Sequence, residues 1–282
     1  MPSSTALRFA RAGLSLLAAA TFLSPTPSRA ADTWPSRVVA SYEVNFNGIN
    51  VGTYDFSSTQ EGATYKLASQ ARLSLLLGAF QWSGNTQSSG RIAGDAVKPN
   101  AFEFDFKAQS KTGSTVMNFT DDTVTQVLHN PMPKDREGIV PVQTQHLKGV
   151  LDPLTAVMAM SRGTSGNPCG RRIPIYDGHQ RFDLLLSPKG QVQLEARSAA
   201  GQPGVGYVCR IRYIPIAGYK PDDGTKYMAQ NNDIEIILRP VPGANIFIPH
   251  QLTIPTIAGN ATLVSRRVTV TTNSQQQIAL VN

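Results

Sequence analysis

The chain is poor in the residues that most often carry chemistry: two cysteines and four histidines in 282 residues, with 7% aromatic and 16% charged side chains. It has no HExxH, no phosphate loop, no CxxC and no GxGxxG, and Gly163-Thr164-Ser165-Gly166 lacks the spacing of a GxSxG nucleophile elbow. These gaps exclude the metalloprotease, P-loop, dithiol-redox, dinucleotide and α/β-hydrolase readings that such motifs would license. His129, His146, His179 and His250 are scattered without ligand spacing, so neither a metal nor a cofactor is expected. Lysine and arginine are spread thinly, with Arg171-Arg172 and Arg266-Arg267 the doublets, which argues against nucleic acid. Long apolar runs are missing as well. A membrane-spanning helix needs roughly 20 apolar residues, and the rival stretch Leu73 to Phe80 is broken by Ser74 and Gly78.

What is present starts with an export signal. Arg8 and Arg11 precede an apolar run from Ala12 to Leu23, and Pro25 and Pro27 lead to Ser28-Arg29-Ala30. That order of basic, apolar and small-residue regions predicts a signal peptide over residues 1–30, cleaved after about Ala30, and a periplasmic product without a transmembrane anchor. Ala31 stands where a lipoprotein would need cysteine, and the paired arginines of the twin-arginine route are absent. Cleavage removes three arginines and no acid, leaving 23 basic and 19 acidic side chains.

Residues 31–282 read as a single β-rich domain. Tyr42, Val44 and Phe46 alternate with polar residues, Asn47-Gly48 supplies a tight turn, and Val51 to Phe56 returns. The same period recurs from Tyr65 to Leu73, from Phe102 to Ala108 and around Asp121-Asp122. It resumes at Ile173 to Tyr176, Arg181 to Leu186, Tyr207 to Ile214, Ile234 to Leu238, Phe247 to Ile254 and Thr262 to Val270. One helix is expected near 152–162, capped by Asp152, opened by Pro153 and ended by Gly163. Many short alternating strands with little helix predict an antiparallel β-barrel or a curled, spiral sheet. Alternation in Tyr207 to Tyr213 points Cys209 into the core, and in an oxidising compartment a Cys169–Cys209 disulfide follows.

Together these segments resemble a bacterial envelope family catalogued as domain of unknown function 3108. The likeness lies in Tyr42-Glu43-Val44, Gly48 to Gly52, Asp152-Pro153-Leu154-Thr155-Ala156, Pro168-Cys169 and Ile175 to Gly178. It continues in Arg181 to Leu184, Tyr207-Val208-Cys209, Tyr213 to Tyr219, Ile248-Pro249, Ile254-Pro255 and Gly259. The resemblance implies an exported, β-rich, non-catalytic envelope protein, favours the Cys169–Cys209 bridge and carries over no catalytic residue.

Two sets of residues stand out as candidate sites. Asp177, His179, Arg181 and Asp183 form the densest polar cluster, in which Asp183 could orient His179 as a general base; the wet face of a hairpin gives the same pattern and makes His179 a surface residue. Arg266 interrupts the apolar row of Thr262, Val264, Val268 and Val270. Either a β-bulge exchanges it with Arg267, or that strand faces outward, or Arg266 lines a cavity beside the anionic group of a ligand. Three functions follow: a periplasmic barrel binding a lipid-like or other envelope component, a hydrolase using His179 and Asp183, or a structural assembly factor with no small ligand.

Overall fold

The computed structural model describes Met1 and residues 34–75, 78–134, 137–163, 167–197 and 203–281. Apart from Met1, the expected export signal and its cleavage point at Ala30 lie outside the described residues. The first half of the domain is a meander of hairpins: β1 (Arg37–Phe46), β2 (Ile49–Glu61), β3 (Thr64–Leu75), β4 (Phe80–Ala93), β5 (Ala96–Ala108), β6 (Lys111–Thr120) and β7 (Thr123–Asn130). Its turns carry the residues that their backbone requires. Asn47 and Gly48 have φ of 49° and 82°, and Asp121 and Asp122 have 46° and 61°, the left-handed pairs that match a tight turn to the twist of its strands.

Helix α1 (Pro153–Ser161) follows, and the sheet resumes with β8 (Arg171–Tyr176), β9 (Arg181–Arg197) and β10 (Pro203–Ala217). A second helix, α2 (Asp223–Gln230), precedes β11 (Glu235–Val241), β12 (Ile246–Thr256), β13 (Gly259–Thr271) and β14 (Gln277–Val281). All pairings are antiparallel within one sheet, in the order β7-β6-β5-β4-β3-β2-β1-β13-β12-β11-β10-β9-β8, with β14 added to β13. The fold is therefore mainly β, a curled sheet that does not close on itself.

The gap between the edge strands β7 and β8 is bridged by the segment that leads into α1. Thr123 pairs with Lys148 and Leu151 with Ile175. Gly149 N donates to Asp122 O, Leu151 N to Pro174 O, and Tyr176 N to Leu151 O. These contacts link one end of each edge strand where direct pairing is absent.

Helix α1 lies inside the curl and is mostly apolar, with its buried Thr155 and Ser161 as the exceptions. Leu154 and Met158, one turn apart, pack with Trp34, Val38, Ala40, Tyr42 and Phe56. Ala156 and Met160 face the other half, with Cys169, Ile173, Ile175, Cys209, Ile236 and Leu238. The helix ends at an extended Arg162, φ −66° and ψ 130°. Gly163 follows the helix end as expected, without a left-handed backbone. Its amide instead donates to Asn245 O at 3.1 Å, and a Cβ there would meet that oxygen at 2.4 Å, so glycine is needed for close approach.

Candidate functional site

Side chains and α1 do not fill the interior. A cavity of about 220 Å³ remains between the helix and the middle of the sheet, lined by Val38, Ala40 and Tyr42 of β1, Tyr54 and Phe56 of β2, and Val157, Met158 and Met160 of α1. Ile236, Ile248, Pro249, Leu252 and Leu263 close its far wall. The three β1 positions alternate inward, so the lining extends along about 13 Å of strand. Ala40, opposite Phe56 and Val268, leaves room that a larger side chain would take. No charged side chain lines the space.

A buried polar network holds the helix that forms one wall. Asp152 Oδ1 accepts from the amides of Leu154 and Thr155, both at 3.0 Å, and Oδ2 accepts from Thr155 Oγ1 at 2.6 Å and Ser88 Oγ at 2.9 Å. Tyr65 Oη lies 2.9 Å from Thr155 Oγ1. With the Thr155 and Ser88 protons committed to the carboxylate, the tyrosine is the donor in that contact. Burial pushes the Asp152 carboxyl above the usual carboxylate range, and the bonds from Thr155, Ser88 and Leu154 pull it back. Strands β3 and β4 are thereby tied to the first turn of α1.

A family model described as "Protein of unknown function (DUF3108)" matches residues 41–264. This chain belongs to the DUF3108 family. No curated protein matches it. Among solved structures, it is similar to a β-barrel-like protein of domain of unknown function DUF1849 from Brucella abortus. The identity is 10% and the TM-score 0.44, over 84% of this chain and 98% of that one.

The DUF3108 structure distributes the sequence-predicted residues differently from the candidate sites. Arg266 is the extra residue of a β-bulge: Ser41 pairs with Arg267 and Tyr42 with Ser265, and Arg266 between them turns out to solvent and pairs with Glu43 at 2.5 Å. It does not line the cavity. The bulge also shifts the parity of β13, so that Leu263 and not Val264 reaches the lining. The catalytic pairing of Asp183 with His179 is not formed. Asp183 is buried, and its two oxygens accept from Arg172 Nε and Arg181 Nη1, a pair of cations that offsets the burial of its charge. Asp177 Oδ1 caps the β8–β9 turn by accepting from the amides of His179 and Gln180. Cys169 and Cys209 are disulfide-bonded, with Cα atoms 5.4 Å apart.

His179 is exposed but has one ring face covered, stacked on His129 at 4.1 Å. His129 also lies 3.1 Å, through Nδ1, from Thr115 Oγ1. Burial first, and then the neighbouring His179, lower the His129 pKa from 6.5. A depressed folded value means that the folded state resists protonation, so this stability is present above pH 6.5 and is lost as pH falls through the folded pKa. The melting temperature of wild type is expected to fall from pH 6.5 towards about pH 5, and His129→Phe to remove part of that slope. A residual slope is expected from His250, whose pKa burial and Arg239 also lower. Identical slopes in the two proteins would count against the stacked pair as its source.

Proposed function

We propose that the mature protein is an exported, non-catalytic envelope protein that takes up a lipid-like component. The apolar cavity between α1 and strands β1, β2, β12 and β13 carries this reading. An engineered apolar cavity of about 150 Å³ stays dry and binds benzene. A cavity of about 220 Å³ has room for a small apolar group or a short stretch of alkyl chain. The hydrolase alternative loses its support because Asp183 is engaged by two arginines. A purely structural role would be better served by a filled interior.

Binding of a neutral hydrocarbon fluorophore, diphenylhexatriene, to wild type and Ala40→Leu tests the reading. Ala40 is buried and lines the cavity, so added methyl groups project into the empty volume. Probe affinity is expected to fall at least about tenfold, or 1.4 kcal/mol, while the denaturation midpoint stays the same or rises. Equal affinity in both proteins, or no binding to wild type, would reject the cavity as the binding site.

A further inference from the structure

The cavity wall contains a tyrosine hydroxyl that no described residue answers. Tyr42 is 5% exposed, faces inward between Tyr54 of β2 and Ser265 of β13, and lines the cavity. Other buried tyrosines have partners: Tyr65 bonds Thr155, and Tyr176 donates to Gly178 O. Tyr42 Oη has no hydrogen-bond partner among the described residues, and its one ring contact is the tilted Tyr54 at 5.9 Å. The buried side-chain atoms left without a partner among the described residues are Gln60 Oε1 and Arg162 Nη1, so Tyr42 Oη keeps accessible surface, which the cavity supplies and a water or ligand can reach. Burial and the neighbouring Tyr54 raise the Tyr42 pKa far above its ordinary value. The group therefore stays a protonated donor throughout the physiological range. The lining has two more hydroxyls: Tyr54, which is less buried than Tyr42, and Ser161 on α1, where a serine can turn back to a carbonyl of its own helix.

The rest of the lining constrains the charge of the occupant. No lysine, arginine or histidine lines the cavity. A carboxylate or phosphate placed inside would be a buried, unpaired anion, which is strongly disfavoured. A pure hydrocarbon that displaced water from Tyr42 would leave its proton unsatisfied. A neutral oxygen acceptor on an apolar chain answers both constraints.

Resting on the apolar-cavity reading, we infer that the ligand is a neutral acyl compound whose carbonyl oxygen accepts a hydrogen bond from Tyr42 Oη. An acyl ester, from a glycerolipid or another acylated molecule, has this chemistry; a free fatty acid has it only when protonated. Tyr42 thus sets specificity within the site.

The test measures displacement of a bound neutral hydrocarbon fluorophore, diphenylhexatriene, from wild type and Tyr42→Phe by three competitors of equal chain length: decane, methyl decanoate and sodium decanoate at neutral pH. Tyr42→Phe keeps the ring that packs on Tyr54 and removes only the hydroxyl. In wild type the methyl ester is expected to compete about three- to tenfold better than decane, the range one net hydrogen bond supplies. In Tyr42→Phe that advantage is expected to vanish, with decane unchanged. Equal competition by ester and alkane in wild type, as when a water serves Tyr42, overturns the acyl assignment and leaves the cavity reading standing. An ester advantage that survives in Tyr42→Phe removes Tyr42 from the role. Tighter binding of decanoate than of its ester overturns the neutral-ligand assignment. Failure of the probe and all three competitors to bind wild type defeats the cavity reading itself.

Discussion

An Asp152→Ala protein is expected to unfold about 3 kcal/mol more easily than wild type, with the midpoint read from urea denaturation. Two losses add. The substitution removes an N-cap, which costs about 1 kcal/mol. It also takes the acceptor from the buried hydroxyls of Ser88 and Thr155, where leaving such groups unsatisfied costs roughly 1–3 kcal/mol. Because α1 walls the cavity, the same variant should lose bound probe. Asp152→Asn is the informative companion: it keeps an oxygen for the Leu154 and Thr155 amides but presents an NH₂ to at least one hydroxyl, so a smaller loss is expected. The pair also isolates a pH effect. Burial raises the folded carboxyl above its ordinary 3.8, so the folded state holds this proton more tightly than the unfolded chain. The carboxyl's contribution is therefore fully present below pH 3.8 and is lost as pH rises through the folded pKa. Stability of wild type relative to Asp152→Asn should decline across that window and then level off. A loss below about 1 kcal/mol in Asp152→Ala would mean that the network contributes no more than an ordinary exposed cap.

Removing the disulfide is expected to have an effect at least as large. The bridge closes a loop with a sequence separation of 40, for which the chain-entropy account gives about 4 kcal/mol. Cys169 and Cys209 are both buried in the cluster formed by Ile173, Ile211, Ile236 and Leu238, so the bridge joins the segment after α1 to β10. A Cys169→Ser, Cys209→Ser double variant also places two hydroxyls among these apolar side chains, and the Ala, Ala variant separates that contribution from the cross-link. No thiol is expected to react in folded, oxidised protein, and two are expected after reduction in denaturant. If the Ala, Ala variant unfolded within about 1 kcal/mol of wild type, the loop-closure argument would fail here.

The architecture was legible wherever burial alternates along a strand, because period-2 patterning directly encodes one dry and one wet face. Asn47-Gly48 and Asp121-Asp122 announced their turns, and Asp152-Pro153 announced α1. The segments that escaped notice each have a local reason. The second half of β9 contains Pro188 and Gly190, which read as breakers; the structure tolerates Pro188 because β8 pairing ends at Leu186, leaving that side of β9 free. Helix α2 is short, carries Gly224 in its first turn and buries none of its residues, so its eight residues are too few for their amphipathic pattern to stand out. Strand β14 follows an undistinguished run of polar residues, Thr272 to Gln276.

The site was less legible than the fold. Tyr42 was visible as one member of an alternating row, but nothing local distinguishes a core tyrosine from one whose hydroxyl meets empty space. The bulge at Arg266 was a recognised alternative, yet only the pairing of Tyr42 with Ser265 decides it. The second arginine of the Asp183 group, Arg172, arrives from β8, and sequence spacing on β9 alone suggested histidine as the partner.

The seam between β1 and β13 imposes an order of assembly. Strands β1 to β7 pair with their immediate sequence neighbours, so this meander can form as it emerges. Val38, however, must wait for Val270 before its outer neighbour exists. Until nearly the whole chain is available, β1 presents an unpaired edge whose inward face is Val38, Ala40 and Tyr42, an open template for another copy of the same meander. Chains stalled short of β13 should therefore aggregate through β1, and an isolated 34–258 fragment should be far less soluble than its content of intact hairpins suggests.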